Sequence, residues 1–373
     1  MPWRATCAMD ERTQFIAACL LREESMSTLC RRFGISRKTG YKWLGRLELS
    51  DQSRRPLHSP TRTPSEIEAR VVEIRQAHPA WGGRKIAKVL QRDASISLSP
   101  NAVTCVLHRH GLICADASEV SKAWTRFEHP WPNSLWQIDF KGHFAVGLQR
   151  CHPLTVVDDH SRFNVVLQAM PGEAREPVQA ELLKAFGLYG LPDCINADNG
   201  PPWGSGGRGL TELGVWLIRL GISLSHSRPH HPQTNGKDER FHRTLKVEVL
   251  CRYHFQSLDD VQQRFDHWRT IYNCQRPHEA IGMQTPADRY SVSPKLLPKT
   301  LRPIEYGPGD EVRRVQAGGI VKFAGRRLRT SMALHGEPVA LRPLDQHDGV
   351  YDVFYCHQRV DRFDLNEVES HSA

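Results

Sequence analysis

The stretch from His231 to Lys246, HPQTNGKDERFHRTLK, opens as a Pro-Asn-Gly turn and continues as a helix dense in charge. At 100° per residue, offsets of four and seven residues stay within about 40° of the starting direction, so Glu239, Arg243 and Lys246 share one side. Phe241, Leu245 and Val249 form an apolar stripe on another side. Taken alone, a carboxylate beside two cations reads as a solvated, salt-bridged face. Two further acids alter that reading. Asp139 lies in WQIDF, whose alternation sets Trp136, Ile138 and Phe140 on one face and Gln137 and Asp139 on the other. Asp198 ends the apolar run of PDCINADNG just before a glycine turn, where a side chain faces a crevice. Acids buried on facing elements are costly unless paired or metal-bound, which weighs against a purely structural role.

Recognisable elements surround these acids. From Asp10 to Leu47 the pattern is three short helices: DERTQFIAACLLRE, then SMSTLCRRFG closing on Gly34, then SRKTGYKWLGRL with Ser36 as N-cap. A helix, a glycine turn and a capped basic helix make a helix-turn-helix over residues 1–49. Trp43 and Leu47 face its core, while Arg37, Lys38, Lys42 and Arg46 point outward as DNA-binding candidates. The bland alternative is a helical hairpin with a solvated basic face. Residues 50–65, with three prolines and three arginines, form an extended basic linker able to lay Arg54 and Arg55 along a phosphate backbone. A second helix-turn-helix follows over 66–123. Its last helix is capped by Ser99, starts at Pro100 and carries Asn101 as a further DNA-contact candidate.

From Trp124 to residue 292 the chain turns to aromatic and β-branched strands, hairpins first and strand–helix alternation afterwards. That order describes a mixed sheet flanked by helices. WQIDFKGHFAV reads as one alternating strand, and WGSGGRG as a glycine-rich insert without packing value. After a Pro-rich link, residues 300–373 are short alternating strands, expected to close a small β-barrel. Its arginines Arg326, Arg327 and Arg329 fit a DNA contact and a solvated edge equally well.

Bulk composition agrees. The 373 residues are 39% hydrophobic and 24% charged, with room for two to four domains and no run long enough to span a membrane. No signal peptide is evident. Ten cysteines are scattered without a CxxC pair, the usage of a reducing, cytoplasmic compartment. Net charge is +9, and residues 1–128 hold 21 Lys/Arg against 13 Asp/Glu while residues 129–290 balance at 17 each. Polyanion binding is therefore expected in the N-terminal third.

WQIDF, VVDDHSRF, NADNGPP and HPQTNGKDERFHRTLK, in that order, resemble the catalytic core of insertion-sequence DDE transposases, relatives of retroviral integrases in the RNase H-like superfamily. The resemblance spans about residues 130–290, and the helices ahead and strands behind also resemble members of this group. It implies a multidomain chain: an all-α helix-turn-helix pair, a central α/β RNase H-like mixed sheet, and a C-terminal SH3-like barrel. It also implies that Asp139, Asp198 and Glu239 are the catalytic, metal-binding carboxylates. They would hold two Mg²⁺ ions, with Mn²⁺ as a substitute, because such hard cations prefer carboxylate oxygen. Glu239 follows Asp198 by 41 positions, more than is usual in the superfamily, and the WGSGGRG insert accounts for the excess. Asp238, offset by 100° on the helix, is expected to point elsewhere, and Asp158 and Asp159 to be supporting or turn residues. Arg243 and Lys246 correspond to positions that contact DNA near the reacting end, and Gln233 and Asn235 lie in the loop beside it.

The expected function is a transposase that binds its element's terminal inverted repeats, cleaves the ends and joins the freed 3′-OH to target DNA. Its partner is double-stranded DNA, on which it assembles as a homo-oligomer, dimer or higher, in the bacterial cytoplasm at the nucleoid, away from membranes. A DNA-binding regulator with an inactive core and an RNase H-type nuclease are the rival readings.

Overall fold

The computed structural model describes residues 8–46, 48–51, 62–113, 128–204, 209–226, 236–344 and 347–366. Leu47, Arg54, Arg55, Gln233 and Asn235 lie outside them. The chain forms two compact units, divided between Arg62 and Thr63.

The first unit holds α1 (Ala8–Leu21), α2 (Met26–Arg32) and α3 (Arg37–Leu44). Ser25 and Ser36 cap α2 and α3 by accepting the Thr28 and Thr39 backbone N–H groups, which satisfies donors a helix start leaves unpaired. Phe15, Leu29 and Cys30 form a small core. The helices meet at Gly40, where a Cβ would come within 2.6 Å of the Cys30 sulfur. Trp43 is buried as expected, but Arg12, Arg46 and Lys42 gather over its ring at 4.0, 4.8 and 5.5 Å. Arg37 and Lys38 are exposed at the start of α3.

The second unit opens with α4 (Ser65–Ala77), α5 (Gly83–Ala94) and α6 (Pro100–Arg109) around Trp81, Ile86, Leu90, Val103 and Leu107. Ser99 caps α6 as its sequence implies. Arg75 ties the bundle by donating to the Trp81 and Leu112 carbonyls. Helix α5 is joined to the segment after the last long core helix by Arg84–Glu279 at 3.1 Å and by Arg92 donating to the Gln275 carbonyl.

Next come β1 (Trp136–Phe140), β2 (Phe144–Val146), β3 (Gln149–Asp158), β4 (Asn164–Met170), α7 (Arg175–Tyr189), β5 (Cys194–Ala197), α8 (Glu212–Arg219), β6 (Ser223–His226), α9 (Gly236–Leu245), α10 (Leu258–Cys274) and α11 (Pro286–Arg289). The expected single strand over WQIDFKGHFAV breaks in two, because the chain turns at Gly142 with φ +72°. The strands form one mixed sheet in the order β2-β3-β1-β5-β6, with β4 also paired to β3. Strands β1, β3 and β4 pair antiparallel, while β1, β5 and β6 run parallel. Helices α7 and α8 cover one face through Leu182, Phe186, Leu213 and Ile218, over Trp136 and Ile138. Helices α9 and α10 cover the other through Phe241, Leu245, Phe265, Trp268 and Tyr272. This is the mixed sheet with flanking helices that the sequence implies.

Trp203 corrects the reading of WGSGGRG as filler: it is buried, 5.9 Å from the Phe140 ring, and belongs to the main core. The C-terminal strands are β7 (Glu311–Arg314), β8 (Ile320–Phe323), β9 (Arg326–Arg329), β10 (Pro338–Leu344), β11 (His347–Tyr355) and β12 (Gln358–Asp364). They make an antiparallel sheet, β12-β11-β10-β7, and a separate β8-β9 hairpin. The expected SH3-like barrel is not confirmed, since no closed barrel is found among the described residues. Val339, Leu341, Val353, Tyr355 and Phe363 join the same core as Trp136 and Ile195, and the hairpin packs on the sheet through Phe323, 4.8 Å from the Tyr351 ring.

Gln358 fixes this arrangement. Its side-chain amide donates to the Leu224 carbonyl at 2.9 Å and accepts the Leu224 N–H at 2.7 Å, so one side chain pairs with edge strand β6. Removing it leaves two backbone groups of a nearly buried residue without these partners. Gln358→Ala should therefore lower unfolding free energy by about 1–3 kcal/mol, read by chemical denaturation. A change below about 0.3 kcal/mol, within the ordinary scatter of a surface substitution, would mean the clasp is incidental.

Candidate active site

Strand β1 is anchored from its apolar side. Trp136 is fully buried and its indole N–H donates to Asn133 Oδ1 at 3.0 Å, which fixes the register of the whole strand. Alternation then sends Gln137 and Asp139 to the opposite face. Asp139 is about a third exposed and accepts the Phe140 N–H at 2.8 Å. Strand β5 runs parallel beside it, with Trp136 opposite Ile195 and Gln137 opposite Asn196. Continuing that register brings Asp198, one residue past β5, beside Asp139. Asp198 accepts the Gly200 N–H, and its carbonyl accepts a bond from His226 Nδ1 at 2.9 Å. Burial, then the neighbouring Asp198 charge, push the Asp139 carboxyl up to about 6.

Glu239 stands in the first turn of α9 and is exposed, as are Arg243 and Lys246. Phe241, Leu245 and Val249 are buried, so the apolar stripe is as expected. The helix is not regular throughout. A π-helical turn begins at Lys246 and runs to Leu250, so the wider winding starts only beyond the α-helical stretch that carries Glu239 and Arg243. It brings Glu248 inward to accept from the Trp268 indole and from Arg276 Nε at 2.9 and 3.0 Å.

The structure joins Asp139 and Asp198 as the sequence implies, but it corrects one expectation about the helix. Asp238 does not point elsewhere: it is buried against Asp139, and burial followed by that charge raises its carboxyl well above the usual range. Among the described residues, the one group of three potential metal ligands is Asp139, Asp238 and His242, with donor atoms all within 4.8 Å of one another. Glu239 is outside that group. Thr155 links its members, donating to the Asp139 carbonyl at 2.9 Å and contacting His242 Nε2 at 2.8 Å. Burial, with Lys141, holds the His242 imidazole down at about 3, hence neutral. Sequence reasoning missed Asp238 and His242, although a signal existed. They sit at i and i+4 in line with Leu245 and Val249, on the buried face.

Asp158 and Asp159 serve the turn, as expected. Asp158 accepts from the Asn133 N–H and from the Ser161 N–H and hydroxyl. Asp159 accepts from the His129 N–H and Gln137 and pairs with Lys237, holding the start of α9 to β3. Asn101, Arg37 and Lys38 are exposed on the helical units.

A divalent cation fits these donors. Half-buried carboxylates repel one another, and Asp238 Oδ2 is buried with no hydrogen-bond partner among the described residues. A hard cation relieves both defects at once.

In comparisons with known proteins, residues 129–232 and 220–286 each match the Integrase core domain family. Residues 310–371 match the IS481 family transposase, C-terminal domain, and residues 39–107 the Homeodomain-like domain. Over 236 residues the chain is 27% identical to the insertion element IS476 uncharacterized 39.2 kDa protein of Xanthomonas euvesicatoria, covering 62% of this chain and 66% of that one. It is 25% identical over 270 residues to the insertion element IS407 uncharacterized 31.7 kDa protein of Burkholderia multivorans, covering 70% and 93%. A simian T-cell lymphotropic virus intasome structure aligns at 16% identity and TM-score 0.40, covering 79% of this chain and 96% of its own.

The raised Asp139 carboxyl has a measurable consequence without metal. A carboxyl whose folded value lies above its unfolded value of about 3.9 favours folding when protonated. That contribution is complete below pH ~4 and lost as pH rises through about 6. In the metal-free protein, Asp139→Asn should therefore match wild-type stability at pH 4 and exceed it by about 1–2 kcal/mol at pH 7.5, discounted for partial exposure. Thermal melts at both pH values test this, and a variant no more stable at pH 7.5 would contradict it.

Proposed function

From the premise that this chain is a DDE transposase with an integrase core, we propose that it binds the terminal inverted repeats of its own insertion sequence, cleaves the element ends and joins the 3′-OH ends to target DNA. The observation that carries the catalytic assignment is the parallel β1–β5 register, which sets Asp139 beside Asp198 at the mouth of the sheet. Glu239, exposed on the first turn of α9, would be the third carboxylate of the set. The three carboxylates would hold two Mg²⁺ ions, or Mn²⁺ in their place. The chemistry supplied at that position would be activation of the attacking hydroxyl and stabilisation of the leaving oxygen of an in-line displacement.

The chain's own residues do the remaining work. Asp139 is kept in place by the Phe140 N–H and by the anchored strand beneath it. Arg243 and Lys246, exposed on the same helix as Glu239, grip phosphates close to the reacting end. Gln233 and Asn235 contact the terminal nucleotides. The basic residues of the first helical unit, with Arg54, Arg55 and Asn101, carry repeat recognition. The active species is a homo-oligomer on DNA, a dimer or higher, in the bacterial cytoplasm. Among the described residues no helix is long and apolar enough to cross a membrane. A regulator with an inactive core has no use for half-buried acids on adjacent strands. An RNase H-type nuclease has none for the homeodomain-like segment.

Two experiments test this reading. Asp139→Asn and Glu239→Gln keep shape but remove charge, so each should reduce end cleavage at least a hundredfold in Mg²⁺ with end binding unchanged. Cleavage above a tenth of wild type would sink the assignment. If Arg37 and Lys38 meet phosphates, replacing both by Ala should reduce the slope of log affinity against log salt by about 1.8. An unchanged slope would remove them from the interface.

A further inference from the structure

The three proposed carboxylates leave one acid unexplained. Asp238 is 1% exposed and cannot exchange its solvation for water. Its Oδ1 has only a long contact, 3.4 Å, with the Thr155 hydroxyl, and its Oδ2 has no hydrogen-bond partner among the described residues. A buried carboxylate oxygen in that condition is strongly unfavourable unless something positive meets it. Lys237, the adjacent cation on its helix, is engaged by Asp159.

The proton bookkeeping around His242 leads to the same point. Thr155 has one hydroxyl proton, which goes to the Asp139 carbonyl at 2.9 Å. The 2.8 Å contact between Thr155 Oγ1 and His242 Nε2 is then satisfied with Nε2–H donating. Nδ1 is left as a bare lone pair, and it faces Asp139 Oδ2 at 3.9 Å. Nε2 in turn lies 3.8 Å from Asp238 Oδ1, too far to be its hydrogen-bond partner. Lone pairs on Nδ1 and on Asp139 Oδ2 thus oppose each other across a gap of about two metal–ligand bond lengths, beside an orphaned carboxylate oxygen.

We propose that Asp238 and His242 are additional ligands of a cation held by Asp139, forming an inner, mixed nitrogen–oxygen site behind the three exposed or half-exposed carboxylates. This rests on the metal-dependent reading above and extends it. The occupant is a divalent transition cation, for which Mn²⁺ is the working probe, because an imidazole nitrogen suits such ions while Mg²⁺ prefers an all-oxygen shell. The site explains why a polar pair, Asp238 and His242, occupies helix positions in line with the buried Leu245 and Val249. It also gives the buried side of Asp139 a partner independent of DNA.

The test uses the full-length protein without DNA, titrated with Mn²⁺ alone and followed by electron paramagnetic resonance and its nitrogen modulation. Wild type should bind Mn²⁺ with a directly coordinated imidazole nitrogen. His242→Ala should lose that nitrogen signal, and Asp238→Asn should weaken Mn²⁺ binding at least tenfold. Glu239→Gln should keep the nitrogen signal. Thermal melts accompany every variant, and the wild-type nitrogen signal is decisive even if one of them fails to fold. Mn²⁺ bound through Asp139 without nitrogen coupling overturns the inner site and leaves the three-carboxylate reading standing. Mn²⁺ binding that Asp139→Asn does not change overturns both.

Discussion

Parallel pairing of β1 with β5 places two acids where neither can be comfortable. Trp136 opposite Ile195 sets the register, and from it Asp139 and Asp198 follow at adjacent strand ends. Asp139 is poorly hydrated, and the neighbouring Asp198 charge further disfavours its ionisation. The chain accepts this unfavourable pair only because a deep apolar layer lies on both sides. Leu182, Phe186 and Ile218 pack beneath, and Phe241, Phe265 and Trp268 pack above. Such preorganisation suits phosphoryl transfer, where the protein's contribution is chiefly positioning and electrostatics.

The C-terminal sheet extends the same logic to the weaker half of the fold. Strand β6 is four residues long and forms the edge of the sheet beside β5. Gln358 occupies its backbone groups, and Ser331 donates to the Leu210 carbonyl nearby. His226, the last residue of β6, reaches back to the Asp198 carbonyl. A continuous line of packing and hydrogen bonds therefore runs from the C-terminal sheet to one of the two adjacent acids.

Much of this was legible in the sequence, for identifiable reasons. The caps Ser36 and Ser99 and the alternation of WQIDF depend on local rules, and each appears where those rules put it. The open C-terminal sheet was hidden because strand spacing says nothing about what covers a strand's apolar face. Trp203 was hidden because a single aromatic among glycines has no period to betray it. Asp238 was misplaced for a more instructive reason. A helical wheel assigns one residue per direction, whereas a helix lying over a sheet buries a broad face, wide enough to take Asp238, Phe241 and His242 together. The π-helical turn at Lys246 is also absent from any propensity rule, since it answers to Glu248 finding Trp268 and Arg276.

The central claim is that strand joining proceeds by direct displacement at phosphorus, with carboxylates organising the site and no covalent enzyme intermediate. The most direct measurement is the stereochemical course of joining at a target phosphorothioate of defined configuration. A single in-line displacement by the 3′-OH inverts the configuration at phosphorus, and the account predicts inversion. Retention would require two successive displacements through an enzyme-bound phosphodiester, and it would contradict the account outright.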